Sequence, residues 1–239
     1  MKELEDYKWF PSVLRNFQTE FIGYIVVVFD VYDVFIDYLN KLKLPTLPMK
    51  DLCSGSGQPA ISIFNKSNCF SSLSLSDKFP NELNNGARKI FNEIRRDDVL
   101  EVEFKNGTYY TMFNSFHHFS DDDKLKIAHR ISQSGSAAFF VEILEPTLLC
   151  FLKVLFITIV GSLLFTPFVK PFSYSRLFFT YIVPINLITV SYDGLMSVFK
   201  SRSIKQYQKL FSASDFPVKV FRLKSELSSL IVIQMGVEK

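Results

Sequence analysis

Glycine, cysteine and histidine are scarce in this 239-residue sequence, with nine, three and three copies. Cys53, Cys69 and Cys150 form no C-x-x-C pair and leave an odd thiol, which argues against a disulfide framework and against a cysteine zinc site. Such usage suits a reducing compartment. His117 and His118 invite a metal or general-base role. Neighbouring side chains are expected on different sides of a strand or helix, however, and His129 stands at no ligand spacing, so no metal site is expected. A P-loop and a G-x-S-x-G nucleophile elbow are both absent. A formal net charge of +3 without a dense basic run argues against nucleic acid as a partner. The chain opens on Lys2, Glu3, Glu5 and Asp6, unlike a secretory signal peptide, so the cytoplasm is the expected location. What is abundant is phenylalanine, with 26 copies, and the mean hydropathy is positive. The length suits one α/β domain, 1–239, able to bury a full core.

The stretch Leu47 to Pro80 organises the chain. A short apolar run ends at Asp51, and a small-residue turn follows at Cys53-Ser54-Gly55-Ser56-Gly57. Ala60 to Phe64 can open a helix, and a second run, Ser71 to Leu75, ends at Asp77. Strand, glycine turn, helix and strand make one βαβ unit, with a carboxylate about 20 residues beyond the glycines, where a ribose would lie. Gly55 and Gly57 let a ligand approach the main chain. The helix N-terminus would face a carboxylate or phosphate, and both oxygens of Asp77 could accept from vicinal hydroxyls. A nucleotide-cofactor site is the expectation.

Two cofactor classes fit. Gly55-Ser56-Gly57-Gln58-Pro59-Ala60 satisfies the dinucleotide pattern G-x-G-x-x-G/A, which implies an NAD(P)-dependent oxidoreductase. Asp51, just before the turn, instead matches the acidic position of S-adenosylmethionine (SAM) methyltransferases, and Asp51 to Gly57 is similar to their pattern D-L-G-C-G-x-G with Cys53 at the first glycine.

Upstream, Tyr7 to Lys43 reads as helical, with Val13, Leu14, Phe17, Phe21, Ile22 and Ile25 near a 3.6-residue period and a second amphipathic stretch from Val27 to Leu42. Residues 1–46 form a helical cap, from which Arg15 and Gln18, one turn apart, could face the ligand. Downstream, a helix is expected to about Arg95, followed by Asp97 and Asp98, either of which could accept from an adenine amino group. Tyr109 to Asn114 reads as a strand entered from Asn106-Gly107, and Ser120 as the N-cap of the next helix.

The run Ser115-Phe116-His117-His118-Phe119 resembles one that follows the fourth strand of class I SAM-dependent methyltransferases. The chain is similar to a bacterial group of these enzymes, with further likeness at Trp9-Phe10-Pro11, Leu14-Arg15-Asn16, Asp51 to Gly57, Ser76 to Asn81, Leu164 to Phe168 and Asp193-Gly194. The resemblance implies an α/β, Rossmann-like, seven-stranded methyltransferase sheet with SAM at the carboxyl ends of its strands. Gly55 and Gly57 would lie along the methionine part, Asp77 on the ribose, and Asp97 or Asp98 near the adenine, with Asp51, Cys53, Ser54, Lys78, Asn114 and Ser115 also binding the cofactor. Arg15, Gln18, His117, His118 and Glu142 would line the acceptor site. Ala137 to Leu144 would be the fifth strand, and Val218 to Leu223 with Ser229 to Met235 the final antiparallel pair.

Residues 147–192 form a hydrophobic helical insertion. Thr147 to Val169 carries one charge, Lys153, and is long enough for a bilayer, which needs roughly 20 residues; Leu177 to Tyr192 is uncharged but short and holds Pro184. The insertion is expected to lie in one leaflet at the inner membrane face, with Lys170 and Arg176 meeting headgroups, or to pack over the site as core helices. The implied activity is methylation of a small or lipophilic acceptor. The alternatives are the oxidoreductase and a non-catalytic, membrane-associated SAM-binding protein.

Overall fold

The computed structural model describes residues 2–81, 94–212, 214, 216–226 and 228–237. Seven strands carry the fold: β1 (Leu47–Leu52), β2 (Phe70–Asp77), β3 (Ile94–Arg96), β4 (Tyr109–Phe113), β5 (Ala137–Glu142), β6 (Val218–Lys224) and β7 (Ser229–Met235). They pair in the order β3-β2-β1-β4-β5-β7-β6, parallel from β3 to β5, with β7 antiparallel to both β5 and β6. Central strands covered on both faces need apolar residues at successive positions, and β4 meets that need: Tyr109 and Phe113 join one core, Tyr110 and Met112 the other. Pro48 has no N–H for the ladder, and the pairing of β1 with β2 shifts register there, between Leu47 and Met49.

Helices cover both faces. On one, α1 (Ser12–Val28), α2 (Asp33–Lys41) and α3 (Ala60–Lys66) supply Val26, Phe35, Ile36, Leu39, Ile61 and Ile63. On the other, α4 (Asp121–Gln133) contributes Ile127 and Ile131. Ser120 caps α4, its hydroxyl accepting from Asp123 N, and Asp121 to Asp123 complement the helix dipole.

The N-terminal region expected to be helical from Tyr7 to Lys43 starts later, at Ser12, and is broken after Val28. Asp30 takes a left-handed φ of 46°, and the second helix starts at Asp33 instead of Val27. Val13 and Ile22, placed by periodicity on the buried face, are exposed. The helix expected before Arg95 falls on residues 82–93, outside the described residues, and its last part is corrected: Ile94–Arg96 is strand β3, paired with Leu75 to Asp77. β5 ends at Glu142, two residues short of the expected Leu144.

The segment 147–192 is largely helical, interrupted at 169–173 and at 183–184. Helix α5 spans Leu148–Phe168, winding as a π turn at Ile157–Gly161. Helices α6 (Tyr174–Ile182) and α7 (Ile185–Lys200) meet at an 81° bend beside Pro184, and α8 (Ile204–Phe211) closes back onto the sheet through Tyr207 and Phe211. One side of the insertion packs on α1, where Phe21 and Ile25 meet Val169 and Val190. Gly194 lets α7 approach α5; a Cβ there would stand 2.9 Å from Val154 Cγ1. The other side is bare, because only 17% of the most apolar stretch of α5 is buried. Arg176 does not face outward as expected. It is 1% exposed, its guanidinium donating to Glu20 and to the carbonyls of Val169 and Pro171.

Candidate functional site

The carboxyl ends of the parallel strands open into a cavity of about 1270 Å³. At its centre the chain leaves β1 through three left-handed residues, Cys53 (φ 57°), Gly55 (φ 51°) and Gly57 (φ 86°). At Gly55 a Cβ would meet Thr19 of α1 at 3.3 Å. Cys53 holds a conformation that costs an L-residue roughly 1–2 kcal/mol, in the position where the methyltransferase pattern has glycine. Its thiol lines the cavity, and burial, helped by Asp77 and Asp51, pushes its pKa well up, so it is a neutral wall and not a nucleophile.

Asp77, at the end of β2, faces the glycine turn. Gly55 N donates to its Oδ2 at 2.8 Å and Phe79 N to its Oδ1 at 2.8 Å, which orients the carboxylate and leaves lone pairs on both oxygens. Past β3, Asp97 accepts from Lys50 at 2.8 Å and Asp98 from Lys78 at 2.7 Å. Asn114, also left-handed at φ 50°, and Ser115 follow β4. The cavity wall thus holds Cys53, Ser54, Gly55, Asp77, Lys78, Asp97, Asp98, Asn114 and Ser115, together with Arg15, Gln18 and His118.

Four expected site residues stand elsewhere. Asp51 is buried below the turn, accepting from Thr111 Oγ1 at 2.7 Å, and burial lifts its pKa to about 7. Gly57 shapes the turn without lining the cavity: its N–H donates to Ser54 O at 2.7 Å and its carbonyl accepts from Ile61 N. Glu142 and His117 lie behind the wall, where Glu142 accepts from Phe116 N at 2.7 Å and pairs with His117 Nδ1 at 2.6 Å. The two histidines do not diverge as their adjacency suggested. The chain turns as a 3₁₀ helix at Phe116–His118, and their rings sit 4.6 Å apart.

Gln18 and Arg15 share the wall but differ in state. Arg15 is tied into the N-terminal segment, donating to the carbonyls of Glu5, Tyr7 and Phe10, and its guanidinium lies 4.4 Å from the Phe79 ring centroid. Gln18 is 3% exposed, and neither its Nε2 nor its Oε1 has a partner among the described residues. A buried primary amide without partners calls for an explanation, and a ligand in the cavity supplies one.

Sequence reasoning missed two features. Gly23 brings α1 onto the glycine turn: a Cβ there would lie 2.7 Å from Ser56 Oγ. A lone glycine inside a helical pattern was the available signal. The second is an N-terminal strap, Glu3 to Asp6, laid over the cavity. Leu4 N and Glu5 N donate to Asp193, while Lys200 pairs with Glu3 and Asp6. Burial would lower the pKa of His118, but Glu3, Asp6 and Glu5 outweigh it and hold the value up at about 9. Separations of more than a hundred residues hid this cluster from local reading.

No family model and no curated protein matches the sequence. Among solved structures, the chain is similar to a Methanococcus maripaludis protein assigned to the SAM-dependent methyltransferases, at TM-score 0.53 and 14% identity over 92% of this chain and 93% of that one. It is also similar to the mitomycin 7-O-methyltransferase MmcR (TM-score 0.50, 14% identity, 88% of this chain) and to the pyocyanin biosynthetic protein PhzM (TM-score 0.50, 12% identity, 86% of this chain). It spans only 54% and 55% of the length of those two. At such identities the likeness is one of architecture, and it agrees with the strand order and the antiparallel β7: this chain has the fold of the SAM-dependent methyltransferases.

Proposed function

We propose that the protein is a SAM-dependent methyltransferase whose acceptor is a small, lipophilic molecule reached at a membrane surface. The observation that carries the reading is the pairing of the left-handed turn at Gly55 with Asp77 across the mouth of the cavity. In this reading the turn and Ser54 take the methionine portion, Asp77 the ribose hydroxyls, and Asp97 or Asp98 the adenine amino group. Methyl transfer from a sulfonium is an in-line displacement. A site that positions two reactants and excludes water suffices for it. The oxidoreductase alternative is disfavoured by β7, since dinucleotide folds of this class run parallel in the order 3-2-1-4-5-6.

Gln18 provides the test. Gln18→Leu removes a buried amide that has no partner, so the ligand-free variant is expected to match or exceed the parent in thermal stability. Its affinity for SAM or for the acceptor is expected to fall about tenfold, the loss of one good hydrogen bond. Calorimetric titration that finds both affinities unchanged would remove Gln18 from the site.

The lipophilic half of the reading rests on the bare side of the insertion. Leu148, Leu152, Phe156, Leu164, Phe168, Tyr174, Ile182 and Ile188 are each more than half exposed. No acidic residue occurs between Glu145 and Asp193, while Lys153 and Lys170 are exposed, a charge balance suited to anionic headgroups. Because the inner side packs on α1, the insertion would lie on the bilayer without crossing it. The full chain is expected to sediment with anionic vesicles and to stay in the supernatant with neutral ones at moderate salt. A monomer that ignores both would overturn the membrane role.

A further inference from the structure

We propose that Glu3, His117 and His118 form a binding site for one divalent transition-metal cation of the zinc type. One ligand atom from each of the three lies within 4.8 Å of the others. Donors around a tetrahedral zinc ion stand ~3.3 Å apart, given Zn–N and Zn–O distances of about 2.0–2.2 Å. His118 Nε2 and Glu3 Oε2 are already at 3.5 Å. Two imidazoles and a carboxylate make a donor set that suits zinc and related ions and suits magnesium or calcium poorly.

The surroundings carry the argument beyond a cluster of side chains. A metal-binding imidazole usually donates its second N–H to a carboxylate, which fixes the tautomer and aims the free nitrogen at the ion. Both histidines are held that way. His117 Nδ1 lies 2.6 Å from Glu142, which is fully buried, and His118 Nδ1 lies 3.3 Å from Asp6. His117 Nε2 is left with no partner among the described residues, although the side chain is only 1% exposed. A buried, unpartnered nitrogen on an imidazole that stands beside a second imidazole and a buried carboxylate is what a cation would satisfy. Lys200 also reaches Glu3, at 3.0 Å, and would compete for it. Its second partner, Asp6 at 3.1 Å, remains when Glu3 turns to the ion. Glu3 and His118 line the cavity, so the ion would border it. The site stands on these side chains alone and does not depend on the methyl-transfer reading.

The test uses the full chain, stripped with a chelator and titrated with Co²⁺ as a coloured stand-in for Zn²⁺. One equivalent of Co²⁺ is expected to bind, with the strong visible absorption of a four- or five-coordinate ion. One equivalent of Zn²⁺ should displace it and a large excess of Mg²⁺ should not. Glu3→Gln and His118→Gln are each expected to weaken Co²⁺ binding at least tenfold. His129→Gln, at the exposed third histidine, should leave it unchanged. Because His117 also holds Glu142, His117→Gln could fail to fold, and Glu3→Gln then carries the comparison. Absence of saturable Co²⁺ binding by the parent, or binding that survives both Glu3→Gln and His118→Gln, would overturn the site and leave the cluster as ion pairs that hold the strap.

Discussion

SAM or its demethylated product, S-adenosylhomocysteine, is expected to raise the thermal midpoint of the purified chain by about 5–10 °C at a hundred times its dissociation constant, while NAD and NADP leave it unmoved. Ligand at that excess adds about 2.7 kcal/mol, and a domain of this length gains roughly 2–4 °C per kcal/mol. Asp77→Ala should cost about 1.5–3 kcal/mol of binding, the usual range for hydrogen bonds to a charged acceptor, or roughly a 10- to 150-fold loss of affinity. Asp77 also accepts from Gly55 N and Phe79 N, so the same substitution is expected to loosen the turn and lower the ligand-free midpoint. Asp77→Asn, which keeps one oxygen for a backbone donor, should lose less stability than Ala while still binding SAM weakly. Unchanged affinity in both variants, measured by calorimetry, would take the ribose away from Asp77. A midpoint raised only by NAD would take the cofactor away from SAM altogether.

What could be read from the sequence was what short-range chemistry dictates. The turn at Cys53 to Gly57 announced itself because few residue types tolerate left-handed backbone, and Ser120 because a hydroxyl before three aspartates matches the unpaired N–H groups of a helix start. The antiparallel pair β6–β7 followed from its β-branched composition together with the family resemblance. Long-range chemistry stayed hidden. Nothing near Glu3 in the sequence points to His118 or Lys200, and nothing near His117 points to Glu142 twenty-five positions later. Periodicity put Val13 and Ile22 of α1 inside because it identifies an apolar face without saying which part of it is covered. The adjacent histidines were misread through an assumption of regular geometry, whereas a 3₁₀ turn at Phe116–His118 carries both rings toward the strap.

Arg176→Met is expected to destabilise the protein by about 3–5 kcal/mol, the cost of removing one partner from a buried ion pair. From its position between two apolar runs Arg176 looked like a headgroup ligand, but here the fold supplies acceptors for both terminal guanidinium nitrogens, while Nε has none among the described residues. It bonds Glu20 on α1 and the carbonyls of Val169 and Pro171 between α5 and α6, and it lies 5.7 Å from the Phe17 ring centroid. One side chain thus fastens the insertion to the cap helix that also carries Gln18. Burial raises the pKa of Glu20 despite Arg176, so losing the guanidinium leaves a mostly covered carboxylate that takes up a proton more readily. The deficit of Arg176→Met should therefore shrink as the pH falls through the carboxylate range, where the orphaned group can neutralise. The double variant Arg176→Met/Glu20→Leu should recover much of the loss, because apolar replacement of both members of a buried pair is often neutral. Denaturant midpoints of the parent, both single variants and the double variant give the coupling directly. If all four lay within about 0.5 kcal/mol, the ion pair would not fasten the insertion, and the apolar contact of Phe21 and Ile25 with Val169 and Val190 would carry that junction.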